Sequence, residues 1–201
     1  MTTILNPPYR VAVYCASTPG TDPLYLTAAK EMGHALAHAG MGVVYGGSIL
    51  GTMGAVAEGA LAAGGEVIGV LPHFMVRREV EHPGLTQMFL VDTMHERKAK
   101  MLELADAVIA LPGGYGTLDE LLEAATWSSL GIHAKPCLVV NTLGYYDGLL
   151  TFLDTAVEAG FLKLKKRKHL QTAANADEAV AVLQATRTSQ AEAEPSEPGT
   201  T

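Results

Sequence analysis

Six short apolar runs do not alternate in the way a strand with one wet face would. They are "YRVAVYC" from Tyr9, "GVVYGG" from Gly42, "EVIGVLP" from Glu66, "MFLVD" from Met88, "DAVIALPGG" from Asp106 and "PCLVVN" from Pro136. Strands of this kind are buried on both faces. Between most of them lie alanine- and leucine-rich stretches of helical period, such as "DPLYLTAAKEMGHALAHAG" and "GTLDELLEAATWSSLG". Strand and helix in alternation require crossover connections, which make neighbouring strands parallel and put helices over both faces. The expected fold is therefore α/β, a Rossmann-like three-layer arrangement with a parallel sheet between two layers of helices.

Gly40, Gly64 and Gly160 each follow such a helical stretch, where a left-handed C-terminal cap favours glycine. A length of 201 residues with 48% hydrophobic content suits one core, so a single domain is expected over residues 1–184. The tail "TRTSQAEAEPSEPGTT" has almost no large apolar side chain and no positive charge after Arg187. It is expected to be a disordered acidic tail over 185–201.

Net charge is −7, which argues against a surface for nucleic acid. No apolar run approaches the roughly 20 residues that span a bilayer, and "MTTILNPPYR" lacks the apolar centre of a signal peptide. A cytoplasmic protein without a membrane partner is expected. Cys15 and Cys137 sit far apart at the edges of apolar runs, a pattern of reduced core thiols. His34 and His38 have the spacing of a metal pair but no accompanying third ligand, and "KLKKRKH" reads as a solvated basic turn.

Ligands of open α/β sheets bind beyond the carboxyl ends of the strands. The loops "CASTPGTD", "YGGSILGTMG" and "LPGGYGT" should therefore share one rim. Successive small residues let backbone N–H groups converge on an anion, and a helix starting near Thr117 adds its positive end. Phosphate is the anion this suggests. None of the loops reads G-x-G-x-x-G after the first strand or G-x-x-x-x-G-K-[ST], the signatures of dinucleotide and triphosphate sites.

Thr117 and Glu120 have capping-box spacing, in which the glutamate merely bonds back to the helix start. On a helical wheel, however, Leu118, Leu121, Leu122 and Ala125 form one face, while Glu120 lies with Ala124 and Trp127. A face holding tryptophan is expected in a cleft or a subunit contact, where a carboxylate needs a cation. In "MHERKAKM", Met94, Arg97, Lys98 and Met101 fall on one side, so two cations occupy an apolar face. They either snorkel from its rim or meet an anion at the ligand edge.

"MHERKAKM" followed by "PGGYGTLDE" resembles the Lonely Guy family of cytokinin riboside 5'-monophosphate phosphoribohydrolases. The likeness extends through "VIGVLP" and "TWSSLGIHAKPCLVVNTLGYYDGLL" and covers roughly Arg10 to Leu170. It implies a Rossmann-like homodimer that hydrolyses the N-glycosidic bond of N6-substituted AMP, with no metal or organic cofactor. By motif, Arg97 and Glu120 fall on the catalytic pair and Lys98 on a neighbouring binding residue. Gly113, Gly114, Tyr115, Gly116 and Thr117 would hold the 5'-phosphate, Thr126 and Glu79 would contact the nucleotide, and Ser17 would close over it. The family's common "CGS" and "GGGxxGLMG" are altered at Ala16, Ser48 and Thr52, which bears on base preference and affinity. A general AMP nucleosidase and a non-catalytic nucleotide binder stay open as alternatives.

Overall fold

The structure, a computed structural model, describes residues 8–76 and 82–193. The chain alternates β1 (Arg10–Tyr14), α1 (Leu24–His38), β2 (Gly42–Tyr45), α2 (Gly51–Ala62), β3 (Val67–Pro72) and β4 (Gln87–Val91). It continues with α3 (Met94–Leu104), β5 (Ala107–Ala110), α4 (Tyr115–Leu130), β6 (Cys137–Val140), α5 (Asp147–Glu158), α6 (Leu164–Arg167), β7 (Leu170–Ala173) and α7 (Ala176–Ala193). The strands form one sheet in the order β4-β3-β2-β1-β5-β6-β7. Every pairing is parallel.

Successive strand residues point to opposite sides of a sheet, and both sides here are apolar. Val11, Val13, Val43, Tyr45 and Ile109 pack under α1, α2 and α7. Ala12, Tyr14, Val44, Ile68 and Val108 pack under α3, α4 and α5. That is why the strands read as continuous apolar runs. Cys15 lies in the first layer and Cys137 in the second, so the sheet separates them and no disulfide joins them. Burial pushes the Cys137 thiol up to about 12.

Gly40, Gly64 and Gly160 do adopt positive φ, at 68°, 74° and 80°. Two elements differ from the expectation. β7 is a short edge strand, "LQTA", too polar to stand out by composition. α7 runs to Ala193, beyond the boundary set at Gln184. Its start is fixed by Asn175, whose Oδ1 accepts from Glu178 N–H at 3.0 Å while Glu178 accepts from Ala174 N–H at 2.7 Å. Ala185, Ala191 and Ala193 favour continuation of the helix.

The order of strands reverses at β1, which has β2 on one side and β5 on the other. The loops leaving β1, β2 and β5 thus open at one point, where such sheets place their ligands.

Candidate active site

Those loops enclose a cleft of about 370 Å³. Cys15 to Thr18 form one wall, Gly114, Gly116 and Thr117 another, and Arg97 and Glu120 the polar floor. Met53, Met75, Met94 and Met101 complete it as an apolar side. A smaller cavity of about 220 Å³ adjoins it beyond Gly113 and Gly114, lined by Tyr25, Thr52 and Tyr145. A larger groove, about 900 Å³, lies elsewhere, between α1 and α7 around His34 and His38. These two histidines touch through Nε2 atoms at 3.2 Å, and among the described residues no third ligand joins them. In the 370 Å³ cleft, by contrast, two buried charges, Arg97 and Glu120, face each other.

Arg97 is 6% exposed and Glu120 7%. The guanidinium is held from behind: Nε donates to Val70 O and Nη2 to Gly46 O, both at 3.1 Å. Its remaining edge, Nη1, stands 3.8 Å from Glu120 Oε1, an ion pair longer than a direct hydrogen bond. Gly46 makes this possible, because a Cβ there would lie 2.0 Å from Arg97 Nη2. Tyr14 lies beneath, its phenol pushed far above its usual range by burial and then by the charge of Glu120.

The inner face of α4 is Thr117, Glu120, Leu121, Ala124 and Ser128. The wheel's leucine face is split: Leu121 is buried and Leu118 packs against the core, whereas Leu122 is exposed. Small residues at 124 and 128 let the helix approach the sheet closely and carry Glu120 inward. The capping reading of Glu120 is also overturned. α4 begins at Tyr115 with Gly114 as N-cap, so Thr117 is already inside the helix and Glu120 a turn beyond it. Leu118 N–H is the first to reach a helical acceptor, Gly114 O at 3.1 Å. The N–H groups of Tyr115, Gly116 and Thr117 are those that a helix start leaves open. Gly114 and Gly116 face empty space, whereas a Cβ on Gly113 would strike Thr117 Oγ1 at 2.1 Å.

Several expected contacts lie elsewhere. Lys98, one step along α3 from Arg97, points to α4, with Nζ 2.8 Å from Glu123 Oε2 and 3.0 Å from Asp119 Oδ2. Burial disfavours its charge, but the bonds to Glu123 and Asp119 outweigh that and raise its pKa. Its position is that of a clamp between helices rather than a cleft residue. Thr126 is exposed, because six residues carry it about 240° around the helix from Glu120. Tyr115 is 94% exposed and does not line the cleft. Ser17 lines the cleft, and Glu79 lies outside the described residues. Thr52 Oγ1 accepts from Ala16 N–H at 2.8 Å and donates to Ala16 O at 3.1 Å. Two of the departures from the family motif therefore touch each other. Ser48 Oγ accepts from Leu50 N–H at 3.1 Å in the turn before α2. Sequence reasoning placed Met94 and Met101 on the face of Arg97 but missed Gly46, Met53, Met75 and Tyr145; the tandem "YY" was the visible signal for the last.

Residues 53–183 match the family model described as "Possible lysine decarboxylase". The cytokinin riboside 5'-monophosphate phosphoribohydrolase LOG of Oryza sativa subsp. japonica is 46% identical over 175 residues, 87% of this chain and 72% of that protein. The chain belongs to the Lonely Guy (LOG) family. A bacterial LOG relative, the cytokinin riboside 5'-monophosphate phosphoribohydrolase of Rhodococcoides fascians, is 42% identical over 88% of this chain and 89% of its own length. The LOG fold is shared more widely. The molybdenum cofactor carrier protein of Chlamydomonas reinhardtii superposes with a TM-score of 0.68 over 90% of this chain and 99% of its own, at 23% identity. That likeness concerns the fold alone.

Proposed function

We propose that the protein hydrolyses the N-glycosidic bond of N6-substituted AMP, the cytokinin riboside 5'-monophosphates, to free base and ribose 5-phosphate. The observation that carries this reading is the buried Arg97–Glu120 pair at 3.8 Å on the floor of a cleft rimmed by the start of α4. A protein that only held phosphate needs the rim and not the pair.

Cleavage of a ribosyl C–N bond builds positive charge on the sugar and negative charge on the departing base. The Glu120 carboxylate stabilises that cation and positions the attacking water. Arg97 fixes the carboxylate; a guanidinium is too weak an acid to serve as the proton donor. The 5'-phosphate rests on the N–H groups of Gly114 to Thr117, with Ser17 closing over the nucleotide. With phosphate at one end and sugar over Glu120, the base falls against Met75 and Met94. Thioether side chains adapt to varied apolar shapes, which suits an N6 substituent. Phosphate held away from the reacting bond lends its binding energy to turnover. The scheme calls for no metal or organic cofactor.

We also propose a homodimer, which the exposed Leu130 and Ile132 beside Trp127 support. A cytoplasmic location is consistent with two cysteines placed in opposite core layers. The test of the activity is incubation with AMP, N6-isopentenyl-AMP, other 5'-monophosphates and the matching nucleosides, followed by chromatography of the bases. Free base mainly from N6-prenylated AMP supports the proposal. Equal release from AMP indicates a general AMP nucleosidase, and no release from any substrate indicates a binder.

A further inference from the structure

The glycine loop after β5 is tied down by two successive tyrosines from the loop after β6. Tyr146 is buried and its hydroxyl donates to Leu111 O at 2.7 Å. The Tyr145 hydroxyl donates to Gly113 O at 2.6 Å. Their own loop is held by Asn141. Asn141 Oδ1 accepts from Tyr146 N–H, and its Nδ2 donates to Asp147 Oδ1, both at 2.7 Å. The Tyr145 ring packs edge-on against Tyr25 at 5.9 Å and Tyr146 at 5.1 Å.

In a planar trans peptide the C=O and N–H point in opposite directions. Holding Gly113 O toward Tyr145 therefore turns Gly114 N–H the other way. The peptide between Gly113 and Gly114 has no Cβ on either side, so its plane rotates at little steric cost, and a bond from outside is what selects one orientation. We propose that Tyr145 is a positioning residue for the phosphate site. Its hydroxyl orients the Gly113–Gly114 peptide so that Gly114 N–H joins those of Tyr115, Gly116 and Thr117 in binding a phosphate dianion. The inference rests on the reading of this loop as the 5'-phosphate site. Tyr146 plays a different part, because the peptide after Leu111 leads into Pro112 and carries no N–H.

The test is Tyr145→Phe, which keeps the ring packing and removes only the hydroxyl, with Tyr146→Phe beside it. Dissociation constants for inorganic phosphate, ribose 5-phosphate and AMP are measured by calorimetry, and KM and kcat with the nucleotide substrate. The expected result for Tyr145→Phe is weaker binding of all three phosphate ligands by about five- to tenfold, the scale of one hydrogen bond. KM rises to match, while kcat stays within about twofold. Tyr146→Phe lowers the melting temperature and leaves phosphate affinity unchanged. Wild-type phosphate affinity in Tyr145→Phe, or the same loss in both variants, overturns the proposal while leaving the phosphate site itself standing. A wild-type protein that binds none of these ligands overturns the phosphate reading, and the proposal with it.

Discussion

Gly46→Ala tests the placement of Arg97. Gly46 does not lie in the left-handed region of backbone space, so alanine introduces no backbone strain there. Its Cβ would instead sit 2.0 Å from Arg97 Nη2 and 2.6 Å from Met53 Sδ. Ordinary contact begins near 3.4 Å, so the guanidinium must retreat by about 1.4 Å if the thioether swings aside. A retreat of that size breaks the 3.1 Å bond from Nη2 to Gly46 O and changes the 3.8 Å approach to Glu120. Overpacking of this kind costs about 1–3 kcal/mol, or a fall of roughly 3–10 °C in Tm for a chain of this size. Misplacing a catalytic group by about 1 Å costs on the order of 10² in rate. The assay is kcat with N6-isopentenyl-AMP, alongside a melting curve and the affinity for ribose 5-phosphate. The account predicts a folded protein that binds phosphate normally and turns over about a hundredfold more slowly. Wild-type turnover in a folded Gly46→Ala protein would refute the idea that the carbonyl cradle places Arg97 for catalysis.

Gly116→Ala works in the opposite sense, since nothing lies within 4 Å of its added Cβ and alanine favours a helix by about 1 kcal/mol. Tm should hold or rise, while KM for the nucleotide rises tenfold or more because the methyl occupies the space meant for phosphate. Lys98→Met keeps the stem but loses two carboxylate partners that are themselves partly hydrated. It should cost about 1–2 kcal/mol and lower kcat less than tenfold, measured by urea unfolding and steady-state kinetics. His133 is held below its usual pKa by burial first and by Lys135 second. The unfolded chain therefore takes up its proton earlier on acidification, and stability is lost as pH falls below about 6.5 toward the lowered native value. His133→Gln should flatten the fall in Tm between pH 7.5 and 5.5 relative to wild type.

The sheet was legible because its strands are buried on both faces and leave unbroken apolar runs. β7 escaped because an edge strand of four residues, "LQTA", needs no such run. The motif T-x-x-E occurs at both Thr93–Glu96 and Thr117–Glu120, and local spacing cannot tell the two apart. In α3 it caps: Thr93 accepts from Glu96 N–H at 3.1 Å, and Glu96 accepts from Asp92 N–H at 2.8 Å. In α4 the helix already starts at Gly114, and the same spacing delivers Glu120 to the cleft. Arg97 and Lys98 shared a face on the wheel, but the fold splits them between the carbonyls of Gly46 and Val70 and the carboxylates of α4. Direction in three dimensions, not residue type, was what sequence could not supply.

The central claim is that Glu120 stabilises the breaking glycosidic bond rather than capping a helix or merely binding nucleotide. It is tested most directly by release of ribose 5-phosphate from N6-isopentenyl-AMP by the wild-type protein and by Glu120→Gln, with the affinity of each for the nucleotide measured in parallel. The account predicts turnover in the wild type, a loss of about 10² or more in the variant, and nucleotide affinity that changes little. Near-normal turnover in Glu120→Gln would contradict it.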